Sequence, residues 1–534
     1  EDTPEVYKER QEQVLSKMLE LKMITQQEYD TAKNEELHFS KKNQNTELKY
    51  QWFIEAAVSS ITDDLKAKYN YTSDEVSQMI YSGGLKIYTT MDPKLQQAAE
   101  KIADTEKYYP TLKSAVKTYG KDKIIQPQTG IVIDEYKTGQ IRAVVGGRGS
   151  QPLKSLNRAT TIARQPGSSM KPVAVYGPAF DTGYSPTSVI DDSPFTPEES
   201  AMAPGWPSEG PHNFVDNSYS GLTTIREAVR RSLNVVAAKL ELKVGVSTSI
   251  KYIKKFGITT LDPKKDTGPA IAHGRLAEGV TPLQMAAAYG SFGNDGVYVE
   301  PILYTKVEDS DGNVLLEKTQ DEHQVISSQA AYLMVDVLKG VIKSGTGTRA
   351  RSVGSMPAAG KTGTSENDEN AYFAGLTPYY SCAIWMGHDK PSIAIIGGKR
   401  GNSSRTLSSG DTAQMWGDLM KEVDKGLKVV DFKKPSGLVR ASVCRDSGLL
   451  PTELCQADPR GSQVISDLFI KGNVPTETCT THVTALIDSS TGKLASEFCP
   501  PSLVVERVFI KKPYTTSGKV QDSKYQVPTE ICNV

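Results

Sequence analysis

The chain has 534 residues, enough for two to four domains with at least one large enough to bury a pocket. Its 62 Lys and Arg stand against 63 Asp and Glu for a formal net charge of -1, which excludes the basic footprint of a nucleic-acid binder and the polybasic patch of a membrane-surface protein. No run approaches the roughly 18 to 20 apolar residues of a membrane span, and Glu1-Asp2-Thr3-Pro4 does not read as a signal peptide, so membrane attachment is expected only through an N-terminal anchor absent from this chain.

Residues 5 to 34 place Val14, Met18, Leu21 and Ile24 at helical spacing, with a break at Thr25 before a second short helix. That predicts a helical hairpin without a core of its own. A polar stretch from His38 to Asn45 reads as a linker, and an amphipathic helix is expected around Trp52 to Tyr69. A strand follows in Gly83 to Thr90, and Asp92-Pro93 opens a helix through Leu95 and Ala99. From Thr129 the pattern becomes a β-meander, Gly130 to Asp134 and Ile141 to Val145, turning at Lys137-Thr138-Gly139. Helices are predicted over Ser168 to Phe180, Ile225 to Leu242, Pro282 to Phe292 and Ser328 to Lys343. Ala371 to Thr377 and Ser381 to Gly387 form a hairpin through Pro378-Tyr379-Tyr380. Helices mixed with an antiparallel sheet predict an α+β domain ending near residue 430.

Beyond it lies a tail with five of the six cysteines, Cys444, Cys455, Cys479, Cys499 and Cys532. Ser447-Gly448-Leu449-Leu450 and Ser490-Thr491-Gly492-Lys493 read as repeated turns in small β modules, with wall or partner binding as a possible use. Cys479-Thr480-Thr481-His482 with Cys444 and Cys455 fits either a zinc site or disulfides of an exported module. Free or disulfide-bonded cysteine is the preferred reading, so no metal and no cofactor is expected. Cys382, in an apolar run, reads as a small buried hydrophobe.

A serine can transfer acyl groups without a His-Asp pair if a lysine one helical turn away serves as base. Ser168-Ser169-Met170-Lys171 fits, but Ser-x-x-Lys also occurs at Ser114 to Lys117 and Ser490 to Lys493. Ser-x-Asn occurs at Ser155, Ser232 and Ser365, and Lys-Thr-Gly at Lys137 and Lys361. Context separates them. The Ser114 copy lies in a charged stretch from Lys113 to Lys123 that suits a solvated helix, and Lys137-Thr138-Gly139 is a hairpin turn. The Ser168 copy opens an apolar helix after Gln165-Pro166-Gly167, where unpaired amides favour developing negative charge. Only Ser168, Ser232 and Lys361 supply a nucleophile at a buried helix start, a second serine on a helix connection and a Lys-Thr-Gly on a strand.

With those triplets the sequence resembles a class A (bifunctional) penicillin-binding protein. Gly83 to Gln96, Asn157 to Lys171, Tyr219 to Asn234, Gly279 to Pro282 with Ala286 to Gly296, Ser344 to Thr348, Gly360 to Thr377 and Trp385 to Asp389 share the likeness, which runs from about residue 80 to 420. Arg10 to Tyr29 resembles the last helices of the family's glycosyltransferase domain, while the acidic element that carries that first activity is absent. The resemblance implies an antiparallel sheet flanked by helices, as in serine β-lactamases and D,D-peptidases. It divides the chain into glycosyltransferase C-terminal helices (1–38), a linker region (39–128), a transpeptidase domain (129–430) and a Cys-containing β-rich extension (431–534). Tyr372 stands where the family often has Trp and is expected to bear on the pocket wall.

The resemblance further implies that Ser168 attacks the penultimate D-Ala carbonyl of a stem peptide, releases the terminal D-Ala, and passes the acyl group to an amine on a neighbouring stem. Lys171 acts as base, its pKa lowered by burial and by Lys361. Ser232 relays the proton, Asn234 binds the donor backbone, Thr362 and Thr364 take its carboxylate, and Gly363 admits it beside the strand. The amides of Ser168 and Thr364 form the oxyanion hole. β-Lactams enter as slowly released acyl donors. The expected setting is the outer face of a Gram-positive cell membrane, within a cell-wall synthesis complex. A β-lactamase is disfavoured because no Glu-x-x-Leu-Asn pentapeptide is present. A D,D-carboxypeptidase stays open, and intact Lys171, Ser232 and Lys361 argue against a non-catalytic wall-binding or β-lactam-sensing protein.

Overall fold

The computed structural model describes residues 4–35, 49–109, 118–119, 124–203, 206–214, 218–266, 268–391, 393–395, 408–512 and 520–533. The linker His38 to Asn45 and the tetrad Ser114 to Lys117 lie outside the described residues. The chain divides into two compact units, residues 1–49 and 50–534.

In the first unit, helices Pro4–Glu20 and Gln26–Asn34 form the expected hairpin. Thr25 ends the break by capping the second helix, its hydroxyl accepting from the Glu28 amide while Glu28 accepts from the Thr25 amide at 2.7 Å. No residue of that helix is buried, as a hairpin without its own core requires.

The second unit is built on a five-stranded antiparallel sheet with spatial order Ala359–Thr364, Asn370–Leu376, Ser381–Gly387, Gln128–Glu135, Gln140–Val145. Alternation along the strands divides their side chains between two cores. Ile131, Ile133, Phe373, Cys382 and Ile384 face helices Pro93–Ala103 and Ser409–Val423. Val132, Tyr372, Ala374, Ala383 and Trp385 face Pro282–Gly293 and Ser328–Ser344. Burial on both faces explains why these strands read as continuous apolar runs. Cys382 is one of the buried hydrophobes, as expected.

Two helical runs depart from their simple prediction. Ser168 to Phe180 is a 3-10 turn, Gly167–Met170, then a π-helical stretch, Pro172–Tyr176, then an α-helical turn, Gly177–Asp181. Pro172 and Pro178 lack amide donors, which removes the regular ladder; the Gly177 amide reaches back five residues to the Pro172 carbonyl. Ile225 to Leu242 is two helices, Ile225–Arg231 and Asn234–Val244, broken at Ser232 with φ 62°. Helix Ser409–Val423, unforeseen in the sequence, supplies Met415, Trp416, Leu419 and Met420 to the second core.

The strand Lys86–Thr89 pairs with Tyr304–Glu308, so the segment before the sheet is tied into the same unit. The tail forms two hairpins, Leu438–Cys444 with Val464–Ile470 and His482–Asp488 with Val504–Ile510. Among the described residues no helix is long and apolar enough to cross a membrane.

Trp416 is fully buried, lies tilted against the Phe373 ring at 5.1 Å and donates to the Cys382 carbonyl at 3.0 Å. Trp416→Ala is expected to cost about 3–5 kcal/mol, chiefly by opening a cavity, with the lost hydrogen bond adding to it. Denaturant unfolding measures it, and a loss under about 1 kcal/mol contradicts this account of the core.

Candidate active site

Ser168 lies half-buried in the 3-10 turn Gly167–Met170. Two glycines hold that turn against the Lys361 strand. Gly167 has φ 55°, and a Cβ there would sit 2.0 Å from the Thr364 carbonyl oxygen. A Cβ on Gly363 would sit 2.0 Å from the Pro166 carbonyl oxygen. Only two backbones without side chains approach this closely, and the approach sets Ser168 beside Thr364. The Tyr289 hydroxyl fixes the turn from below, donating to the Ser169 carbonyl at 2.6 Å.

Lys171 and Lys361 are both fully buried and meet around one residue, Ser232. Lys171 Nζ donates to the Ser232 carbonyl at 2.9 Å, the Leu233 carbonyl at 3.2 Å and Asn234 Oδ1 at 2.7 Å. Lys361 Nζ donates to Ser232 Oγ at 2.8 Å and to the Thr362 carbonyl at 3.0 Å. The break in the helix makes this possible, because the left-handed turn at Ser232 exposes two carbonyls to one amine and its hydroxyl to the other. Burial, and secondarily the charge of Lys361, pushes the Lys171 pKa well below the usual lysine range. Burial lowers Lys361 to about 7. The three acceptors suit the three protons of a charged Lys171. The neutral amine has two, so it releases one acceptor and gains a lone pair that can accept a proton. Ser168 Oγ is not among the Lys171 partners in this arrangement, as is common before substrate tightens a site.

Asn234 Nδ2 donates to the His212 carbonyl at 2.9 Å, and its amide donates to Asn213 Oδ1 at 2.9 Å. His273 Nε2 lies 2.9 Å from the Asn234 carbonyl, and its ring sits 5.1 Å from Trp206. Burial, then the Lys171 charge, holds His273 down to about 3, so it stays neutral at physiological pH. Thr362 is buried and shares a 2.7 Å hydrogen bond with the Thr346 hydroxyl, while Thr364 is half-buried. His273, Trp206, Asn213 and Thr346 were not singled out in the sequence. Thr346 alone carried a signal, inside Ser344 to Thr348.

The decoys are structural. Asn157 accepts from the Ala159 amide, Lys137 and Thr138 occupy a hairpin turn, and Ser365 and Asn367 belong to a short 3-10 turn. Ser490 and Thr491 cap a turn through Asp488 Oδ1. Tyr372 is fully buried on the inner face of its strand with its hydroxyl on the Val280 carbonyl at 2.8 Å, so it packs the core behind the site.

Comparison with known proteins shows the family. Residues 129–400 match the penicillin binding protein transpeptidase domain, and residues 434–484 match the penicillin-binding protein 1A C-terminal domain. The chain belongs to the penicillin-binding protein transpeptidase family. It is 40% identical over 537 residues to penicillin-binding protein 1A of Clostridium botulinum, covering 99% of this chain and 63% of that protein. It is 29% identical to penicillin-binding protein 1A/1B of Bacillus subtilis, covering 90% of this chain and 50% of that protein. The chain thus spans less than two thirds of the length of these relatives. Penicillin-binding protein 1A from Haemophilus influenzae shares the fold, with TM-score 0.64 and 22% identity over 88% of this chain and 83% of that one. So does PonA1 from Mycobacterium tuberculosis, solved with penicillin V, with TM-score 0.57 and 24% identity over 73% of this chain and 97% of that one.

In this transpeptidase domain the helix that ends at Ser232 is braced from the tail. Arg226 binds Asp467 of the first hairpin through Nε and Nη2, both at 2.6 Å, and Asp336 of helix Ser328–Ser344 at 2.6 Å. Asp522 accepts from the Leu222 amide at 2.9 Å and pairs with the buried Lys512.

Lys361→Met removes the charge that depresses Lys171, so the acid limb of the penicillin acylation rate is expected to move to higher pH. Acylation rates measured from about pH 5 to about pH 9 check this, and an unmoved limb contradicts it. The folded Lys361 releases its proton near 7 while the unfolded side chain holds it to about 10.4, so the wild type gains stability as pH rises through that window. The gain should be smaller in melting curves of Lys361→Met, which keeps only the contribution of the buried Lys171.

Proposed function

We propose that this domain is a D,D-transpeptidase that cross-links peptidoglycan stem peptides through an acyl-enzyme on Ser168, and that β-lactams acylate the same serine. The observation that carries the reading is the pair of buried lysines on Ser232, with Lys361 Nζ 2.8 Å from Ser232 Oγ and Lys171 Nζ 2.9 Å from the Ser232 carbonyl. One amine is set to take a proton and the other to polarise the hydroxyl that delivers it.

In the acylation step a bond forms between Ser168 Oγ and the penultimate D-Ala carbonyl carbon, and neutral Lys171 accepts the hydroxyl proton. The amides of Ser168 and Thr364 stabilise the oxyanion. Collapse breaks the bond to the terminal D-Ala, whose nitrogen takes a proton through Ser232 Oγ. A stem-peptide amine then attacks the ester and loses its proton by the reverse path, restoring Ser168. The Lys361 strand ends the sheet, so the donor can lie along it as an added strand, with Asn234 meeting its amide and Thr362 and Thr364 its carboxylate; Gly363, expected to admit the donor, instead makes room for Pro166 and Ser169. A β-lactam presents the same carbonyl in a strained ring, and the solved likeness to PonA1 in complex with penicillin V supports this use of the fold.

The longer length of the curated relatives, with the likeness of Arg10 to Tyr29 to a glycosyltransferase terminus, supports a parent protein that also polymerises glycan strands. Action at the outer membrane face, an anchor outside these residues and membership of a cell-wall synthesis complex belong to the same reading. The Clostridium and Bacillus relatives support a Gram-positive source.

Incubation with a D-Ala-D-Ala donor and an amine acceptor is expected to yield the new amide with release of D-Ala, and Ser168→Ala should yield none. Hydrolysis alone, whatever the acceptor concentration, would assign a carboxypeptidase instead.

A further inference from the structure

The two tail hairpins are copies of one module, joined bond for bond. In the first, the Cys444 amide donates to the Leu449 carbonyl, the Gly448 amide to the Cys444 carbonyl, and the Cys479 amide to the Leu450 carbonyl, each at 2.8 Å. In the second, Asp488 donates to Lys493 at 2.9 Å, Gly492 to Asp488 at 2.8 Å, and Cys532 to Leu494 at 2.8 Å. The Thr452 amide donates to Cys455 Sγ at 3.3 Å, and the Ser496 amide does the same to Cys499 Sγ at 3.3 Å. Cys444, Cys455 and Cys479 therefore correspond to Asp488, Cys499 and Cys532. Both trios gather their donor atoms, each trio within 4.8 Å, and the first adds His482. A cysteine replaced by aspartate at an equivalent place keeps a metal ligand and loses a disulfide partner.

The first cluster has the dimensions of a tetrahedral site. Zinc bonds of about 2.3 Å to sulfur and about 2.1 Å to nitrogen put those two ligands about 3.5 Å apart. His482 Nδ1 lies 3.4 Å from Cys444 Sγ and 3.5 Å from Cys479 Sγ. The far side of the ring is held at 2.9 Å by Asp458 Oδ2, with Asp446 at 3.4 Å, and Arg460 ties both carboxylates together. A proton on Nε2 serves that carboxylate and turns the Nδ1 lone pair toward the three sulfurs, the arrangement that orients metal-bound histidines. All four donors are buried, and three sulfurs with one imidazole cannot be consumed by disulfide pairing.

We propose that Cys444, Cys455, Cys479 and His482 bind a structural zinc ion through three thiolates and Nδ1. This replaces the preference for free or disulfide-bonded cysteine drawn from the sequence. The ion does what the module's own interior cannot. That interior is the three cysteines with Val464 packed on them, under a two-stranded hairpin too small to be stable alone. Zinc joins the end of strand Leu438–Cys444, the Cys455 turn, Cys479 and the start of the second module, His482. The neighbouring strand then presents Asp467 to Arg226 on the helix that carries Ser232. The second cluster, with three donors, is the weaker site.

The full chain, purified under reducing conditions without chelator, is expected to contain at least one zinc per chain by mass-spectrometric metal analysis. One zinc should persist in the Cys499→Ser/Cys532→Ser variant and be lost in Cys479→Ser. Because removing a ligand can unfold the module, the wild type supplies a second reading: cobalt(II) replacing zinc should show thiolate-to-cobalt charge-transfer and tetrahedral d–d bands that added zinc abolishes. Protein that holds no zinc and gives no such cobalt spectrum overturns the proposal. So does a chain purified in parallel without reductant that, once denatured, is lighter by the two hydrogens of a disulfide involving Cys444, Cys455 or Cys479.

Discussion

Two ammonium groups taken out of water into one pocket are the constraint on which the rest of the structure turns. Desolvation alone disfavours charge on Lys171 and Lys361, and each opposes charge on the other, so the pocket favours a state in which one amine is neutral at physiological pH. That state is the one acyl transfer needs, and it opposes stability. The surrounding fold must therefore hold the pair in place by means that do not depend on the pair itself.

Those means are backbone devices. Ser232 sits in the left-handed region, which costs a non-glycine residue about 1–2 kcal/mol, and the turn is held from outside the pair by the Leu233 amide on the Ala228 carbonyl and the Asn234 amide on Asn213 Oδ1, both at 2.9 Å. The π-helical stretch after Lys171 lies between two prolines that interrupt the regular ladder, and the 3-10 turn before it sets Ser168 and Lys171 one turn apart. The contact between Gly167 and Thr364 locks the Ser168 turn to the strand that carries Lys361. That strand is rigid because its neighbours are buried on both faces. The helix leading to Ser232 is fixed at its exposed side by Arg226 and the tail, so the tail and the chemistry share a mechanical path.

Much of this was legible in the sequence because the governing patterns are local. Continuous β-rich apolar runs bounded by turns marked the sheet strands, and the context of repeated triplets separated Ser168, Ser232 and Lys361 from the other copies. The break at Ser232 was hidden in a run of good helix formers, Ile225 to Leu242, because it is imposed by tertiary contacts rather than by a glycine or proline. Helix Ser409–Val423 was overlooked although Met415, Trp416, Leu419 and Met420 have helical spacing. His273 and Trp206 are far from the triplets in sequence, and nothing local marks a histidine that burial keeps neutral. In the tail, the turns at Gly448 and Gly492 showed a repeat, while the ligand-like convergence of Cys444, Cys455, Cys479 and His482 needed three-dimensional contacts.

The central claim is that Ser168 is the acylated nucleophile and that the acyl-enzyme is long-lived toward a β-lactam. Intact-protein mass spectrometry after incubation with a penicillin tests it most directly, with Ser168→Ala alongside. The account predicts a single persistent adduct on the wild type and none on the variant. An adduct that survives the substitution, or an unmodified protein with the drug rapidly hydrolysed, would contradict it.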